Sequence, residues 1–205
     1  MKLNKCERNM NSTKPWYETA FQADYLKRYQ HRNEKEARQA VDLILDSIPL
    51  HKHHLVLDLC CGAGRHSLAF CQAGYQVIGL DLSMELLGQA FSQPCDHVKG
   101  YTRGDMRKLP FTQESFFAVV HLFTAFGYFD EDVQNEFVFK EINRILESGG
   151  YYFFDFLNAN KVKEELSDEP IVSVNESELE TVQTMKQLSE NQKRVIKTIT
   201  ITNEE

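Results

Sequence analysis

The sequence predicts an α/β fold: a doubly wound, mostly parallel sheet covered by helices on both faces, with a helical cap before it and an antiparallel hairpin after it. Three observations carry that reading. Short apolar runs alternate with stretches of helical period between 51 and 158. Several of those runs end at an Asp or a glycine turn, as parallel strands feeding helices do. After 171 the helical period gives way to alternation of apolar and Thr residues.

In order along the chain, residues 1–15 are polar and read as a flexible N-terminus. From 16 to 48 the apolar residues recur at three- and four-residue intervals: Trp16, Ala20, Tyr25, Leu26 and Tyr29, then Ala37, Val41, Ile44 and Ile48. Two helices follow, with a break at 31–33 and an end at Pro49. Residues 16–50 are thus a helical cap. The run 55–59 is a strand, Gly62 and Gly64 a turn, and the stretch to about 73 a helix closed by Gly74. Residues 76–81 form a second strand, and Ser83 N-caps a helix reaching about 91. Residues 97–103 and 117–123 read as strands and 131–146 as a helix, after which Gly149-Gly150 turns the chain into a strand over 151–157. The last segment, 159–205, contains strands over 171–174, 179–188 and 193–202, with a turn at 189–192 and an acidic loop at 163–169.

Composition bounds the function. The chain has 205 residues, a formal charge of −7 and 42% hydrophobic residues, enough to bury a core without metals or disulfides. The acidic balance argues against a broad nucleic-acid surface, since such affinity comes from clustered Lys and Arg. No apolar run approaches the length of a membrane span, and the first residues contain no apolar signal core. The expectation is a cytoplasmic protein. Cys6, Cys60, Cys61, Cys71 and Cys95 are odd in number and lack CxxC spacing, so reduced thiols are expected rather than a disulfide framework. His51, His53 and His54 cluster, but no nearby carboxylate or Cys completes a metal set, and they read as a solvated connection.

The chemistry concentrates at Val56-Leu57-Asp58-Leu59-Cys60-Cys61-Gly62-Ala63-Gly64-Arg65-His66-Ser67. Its glycines let the backbone pass close to a ligand, and the following helix presents free N–H groups. Gly62-x-Gly64-x-x-Ser67 also reads as a degenerate dinucleotide fingerprint. Asp58, at the end of the first strand, is expected to orient an ammonium directly or through water, with capping of the following helix as the lesser alternative. Asp81, nineteen residues after Gly62, stands where an acid accepts both ribose hydroxyls. Asp105 follows the third strand, where it can accept from an adenine amino group while Met106 covers the ring. Together these describe a nucleoside bearing an amino acid.

In the order of these motifs the sequence resembles the class I S-adenosylmethionine-dependent methyltransferases. The likeness runs over 16–158 and rests on Leu57-Asp58-Leu59-Cys60-Cys61-Gly62-Ala63-Gly64, Gly79-Leu80-Asp81-Leu82-Ser83, Gly104-Asp105-Met106-Arg107 and Leu146-Glu147-Ser148-Gly149-Gly150. It is closest to a small bacterial-type subgroup with segments similar to 24–32 and 122–129. The resemblance implies a Rossmann-like core over 51–158, S-adenosylmethionine as cofactor, and a small-molecule acceptor methylated by in-line displacement. It implies a cofactor site of Asp58, Cys60, Gly62, Ala63, Gly64, Arg65, His66, Asp81, Leu82, Asp105, Met106, Leu122 and Phe123. Tyr17, Tyr25, Tyr29, Arg32, Phe126, Tyr128 and Asn158 are candidates for the acceptor side, and no residue is singled out as catalytic. Cys60 replaces the family's usual first glycine and Ser148 its usual Pro. The family sheet ends with two further strands that no segment supplies; 159–205 resembles the subgroup's hairpin insertion, so the expectation is either a truncated chain or a divergent short form. Its last strand would then leave an open edge through which a second copy can pair. Two other functions share the fold: a noncatalytic S-adenosylmethionine-binding or interaction protein, and an NAD-dependent oxidoreductase.

Overall fold

The computed structural model describes residues 2–4, 15–21, 25, 33–166, 170–176, 180–191 and 194–203. In chain order the elements are β1 (Lys2–Asn4), α1 (Trp16–Ala20), α2 (Glu34–Ser47), β2 (Leu55–Leu59), α3 (Arg65–Gln72), β3 (Gln76–Asp81), α4 (Met84–Phe91), β4 (Val98–Arg103), β5 (Phe116–His121), α5 (Asp132–Ile145), β6 (Leu146–Phe154), α6 (Ala159–Glu165), β7 (Ile171–Glu176), β8 (Glu180–Leu188) and β9 (Arg194–Asn203). They fall into two units.

The larger unit comprises Phe21–Ala125 and Val133–Asp155. Its five strands are all parallel, in the order β4-β3-β2-β5-β6. The chain starts in the middle at β2, winds outward through β3 and β4, then returns to the other side of β2 with β5. That reversal between β2 and β5 is a topological switch point, where the loops at the strand C-termini part and leave a crevice. Burial follows the sequence pattern: β2 and β5 are apolar runs covered on both faces, with Val56, Leu57, Leu59, Val119 and Val120 removed from water. Helix α2 begins after the expected break, where the Asn33 side chain accepts from the Glu36 N–H. Its Ala37, Val41 and Ile44 pack in the same cluster as Phe70, Val77 and Ala118.

The smaller unit comprises Met1–Ala20, Phe126–Asp132 and Phe156–Glu205. Its sheet runs β1-β9-β8-β7, antiparallel except that β1 lies parallel to β9. Val182 and Val195 are buried, whereas the outer strand β7 exposes Ile171, Val172 and Val174.

Several expectations need correction. Residues 2–4 lie in the sheet, because β9 offers them a free backbone edge that the polar sequence does not reveal. The strand expected over 117–123 ends at His121, since Phe123 and Thr124 take left-handed backbone angles that terminate pairing. The strand expected over 151–157 spans Leu146–Phe154, and its glycines form an excursion within it: Phe116 pairs with Leu146 but Ala118 with Tyr151. The acidic stretch begins inside a helix, α6, capped by Asn158. Cys71 and Cys95 form a disulfide, which overturns the expectation of reduced thiols for that pair; their 24-residue separation gave no sequence cue, and the fold brings the end of α3 beside the start of β4. Among the described residues no helix is long and apolar enough to cross a membrane.

Candidate functional site

At the C-terminal end of β2 the chain makes a run of left-handed turns: Cys60 at φ +61°, Gly62 at +56° and Gly64 at +79°. Glycine takes these angles freely, while an L side chain pays about 1–2 kcal/mol, the penalty met at Cys60. The two glycines serve different ends. A Cβ on Gly64 would stand 2.6 Å from the Tyr101 hydroxyl, so this glycine admits a packed neighbour. A Cβ on Gly62 would make only ordinary van der Waals contact, with Leu86 Cδ1 at 3.8 Å, so its positive φ rather than crowding is what calls for glycine there.

Asp81, at the end of β3, ties that turn in place. Its Oδ2 accepts the Gly62 N–H at 2.8 Å and its Oδ1 accepts the Ser83 N–H at 2.8 Å. Each oxygen keeps further acceptor capacity. Burial raises the Asp81 pKa, against the pull of the backbone N–H groups of Ser83, Gly62 and Leu82. Ser83 in turn caps α4 through the Leu86 N–H and donates to the Phe21 carbonyl. Two consecutive strand ends and a helix start therefore share one carboxylate.

Asp105 stands beyond β4. Burial pushes its pKa up, but Arg107 wins and holds it below the usual range: the guanidinium donates to both carboxylate oxygens at 2.5–3.0 Å and the Arg107 N–H donates to Oδ1 at 2.8 Å. Met106 is buried, with its sulfur 3.8 Å from the Cys60 sulfur. Burial first, and then the charges of Asp81, Asp58 and Asp105, push the Cys60 thiol well above its ordinary value. All three acids act on one point at the turn. An isolated nucleophilic role for this thiol is disfavoured by the same shift.

Asp58 faces inward. It is 1% exposed, and its Oδ2 accepts the Ser67 hydroxyl at 2.6 Å and also bonds the Ser67 amide in the first turn of α3. Of the two roles open to it from sequence, the visible contact is the one to the helix. Burial raises its pKa to about 7, helped by Asp81 and opposed by Ser67 and Arg65.

The opposite wall comes from the end of β5. The Phe123 ring lies 5.1 Å from the His66 ring, with the Arg65 guanidinium 4.9 Å from its centre. Arg65 also donates to the Asn33 carbonyl and pairs with Glu36. Leu122 and His66 are buried, while Ala63, Leu82 and Phe123 are half-buried. Asp155, which the sequence places with Asn158 on the ligand-binding edge but without a partner, accepts the Phe123 N–H at 3.0 Å through Oδ2 and the Thr124 N–H through its carbonyl. The available cue was its position at a strand end, where ligand-side loops begin.

The acceptor-side candidates fall in both units. Tyr29 and Arg32 lie outside the described residues. Tyr25, in the larger unit, packs edge-on against Phe21. In the smaller unit Trp16 meets Tyr128 edge-on and donates to its carbonyl, Tyr17 packs on Phe129, and Phe126 on Phe156. Asn158 caps α6, accepting from the Asn160 and Lys161 N–H groups. His51 and His53 stack, His54 meets His53 edge-on, and His54 stacks on Phe117.

Comparison with known proteins bears directly on this arrangement. A family model for a methyltransferase domain matches residues 56–150. The chain is 31% identical over 118 residues to the putative methyltransferase YqeM of Bacillus subtilis, covering 55% of this chain and 46% of that protein. It is 31% identical over 137 residues to the malonyl-[acyl-carrier protein] O-methyltransferase of Enterobacter lignolyticus, covering 66% and 51%. The chain thus spans about half the length of the curated relatives it matches. In fold it is similar to a solved S-adenosylmethionine-dependent methyltransferase of Clostridium acetobutylicum, with a TM-score of 0.65 over 88% of this chain and 78% of that one at 16% identity. Residues 56–150 thus match a methyltransferase-domain model, and the chain is similar over part of its length to proteins named as methyltransferases, with a fold like that of an S-adenosylmethionine-dependent one.

Proposed function

We propose that this chain binds S-adenosylmethionine at the crevice above β2, β3 and β5 and transfers its methyl group to a small-molecule acceptor. The observation that carries the reading is the junction of Asp81 with Gly62, which sets a carboxylate with spare lone pairs beside a left-handed glycine turn. The residues fit a nucleoside bearing an amino acid. Asp81 would accept from ribose hydroxyls, and Asp105, fixed by Arg107, from the adenine amine, between the apolar surfaces of Leu82 and Met106. The N-terminus of α3, with Arg65 beside it, favours a carboxylate. Asp58 supports the site at one remove by holding Ser67 in the first turn of that helix.

When bound, the cofactor supplies a methyl group already made electrophilic by its sulfonium. The protein's own contribution is then orientation and exclusion of water, which together account for much of the barrier lowering in such displacements. The charge of −7 supports a small or uncharged acceptor rather than a polyanion. No support favours the oxidoreductase alternative.

Calorimetry with S-adenosylmethionine and its homocysteine product tests the reading. Binding is expected, and absence of heat at millimolar ligand with folded chain counts against it. Asp81→Asn keeps an oxygen for the backbone but loses the charge, and should weaken binding by about 1–3 kcal/mol. Unchanged affinity would misplace the site. A screen of small acceptors for homocysteine product then separates an enzyme from a noncatalytic binder.

A further inference from the structure

The turn at the switch point is held in a form its sequence disfavours, and one side chain reaches across it. Phe123 and Thr124 sit at φ +59° and +57°, left-handed angles that two successive non-glycine residues rarely adopt. Asp155 secures the middle of the turn through the Phe123 and Thr124 N–H groups, and its own N–H donates to the His121 carbonyl. The far end is secured by His121. This residue is fully buried, with Nε2 2.8 Å from the Ala125 carbonyl and Nδ1 3.0 Å from the Tyr152 hydroxyl.

Those two contacts fix the chemistry of the ring. A carbonyl oxygen only accepts, so Nε2 carries the proton; Nδ1 is then an acceptor, and the Tyr152 hydroxyl donates to it. One neutral tautomer satisfies β6 on one side and the end of the turn on the other. The effect of the turn is to lay the Phe123 ring against Arg65 and His66 at the start of α3.

We infer that His121, oriented by Tyr152, is a positioning residue: it clamps the 122–125 turn so that Phe123 forms the wall of the crevice facing the glycine turn. The inference rests on the proposed cofactor reading of that crevice. His121 touches no ligand; it acts through the turn.

Two measurements test it. Hydrogen exchange at the Phe123 and Thr124 amides reads the clamp in the ligand-free chain, and calorimetry with S-adenosylhomocysteine reads its effect on the crevice. His121→Leu should speed exchange at both amides and weaken binding at least tenfold, about 1.4 kcal/mol. His121→Gln, whose amide can still donate to the Ala125 carbonyl, should recover most of both. Tyr152→Phe removes one hydroxyl at little cost in packing and should produce the same changes, about threefold in affinity. Exchange and affinity like wild type in His121→Leu overturn the inference; if that variant does not fold, wild-type behaviour of Tyr152→Phe overturns it. Rescue by Gln separates positioning from mere loss of core volume. A wild-type chain that binds no S-adenosylhomocysteine would refute the cofactor reading, while exchange in the variants still decides the clamp.

Discussion

Asp58 and His121, both buried in the larger unit, pull the stability of the fold in opposite directions as pH falls. Burial raises Asp58 from 3.8 to about 7, so the folded chain keeps its proton where the unfolded chain has lost it. That penalty is absent below pH 3.8 and grows as pH rises to about 7, reaching about 4 kcal/mol at about 1.4 per unit. Burial lowers His121 from 6.5 to about 4, with the Ala125 carbonyl acting against the shift. Its stabilisation is complete above pH 6.5 and is lost as pH falls to about 4, a change of about 3 kcal/mol. Between pH 4 and 6.5 the two slopes nearly offset. Asp58→Asn keeps an acceptor for Ser67 and removes only the first slope, so its stability should fall with acidification more steeply than that of wild type. Urea midpoints measured from pH 4 to 7 check this, and parallel curves for the two proteins would mean that Asp58 is ionised in the folded chain.

At the scale of elements, the Cys71–Cys95 disulfide closes a loop that contains β3, Asp81 and α4, and so fastens the site from behind. Cross-links of this span restrict the unfolded chain by about 3 kcal/mol. Reduction, or Cys95→Ser, should lower the unfolding free energy by up to that amount, seen as a shift in urea midpoint with and without dithiothreitol; no shift would show that the pair stays reduced in solution. The same elements show what is legible in sequence. The link between Gly62 and Asp81 can be anticipated because parallel register sets neighbouring strand ends level, as Leu59 opposite Leu80 shows. The cap at Ser83 and the break before Glu34 are local side-chain chemistry, visible as residue types. The contacts of Asp155 with the turn and of His121 with Tyr152 are not: both depend on β6 lying beside β5 and on an excursion at 147–150 that shifts the register between them. β1 escapes for a similar reason, since its three residues become a strand only where β9 provides an edge. Asp58 falls between, because spacing places it correctly at the strand end but cannot say whether it faces ligand or helix.

For the molecule as a whole, the consequential feature is the outer side of β6. Among the described residues this strand pairs with β5 alone and is the last in its sheet. Neighbouring apolar surface accompanies the open backbone: Tyr151 on the strand is 37% exposed, and Phe139 on α5, which packs edge-on against Tyr152 and Phe154, is 43% exposed. An edge flanked by aromatic side chains is a template for another strand, and past Glu147 and the excursion at 147–150 the stretch YYFF carries neither charge nor Pro to deter pairing. We therefore expect copies of this chain to associate through β6, with a mass in light scattering that rises above the monomer as concentration increases. Tyr151→Lys puts a charge on that strand and should return the chain to monomer while leaving it folded, at the cost of the Tyr151 ring's packing near Phe117. A constant monomer mass for the wild type across the dilution series would mean that another part of the chain covers the edge, and an associated Tyr151→Lys protein would move the contact to a different surface.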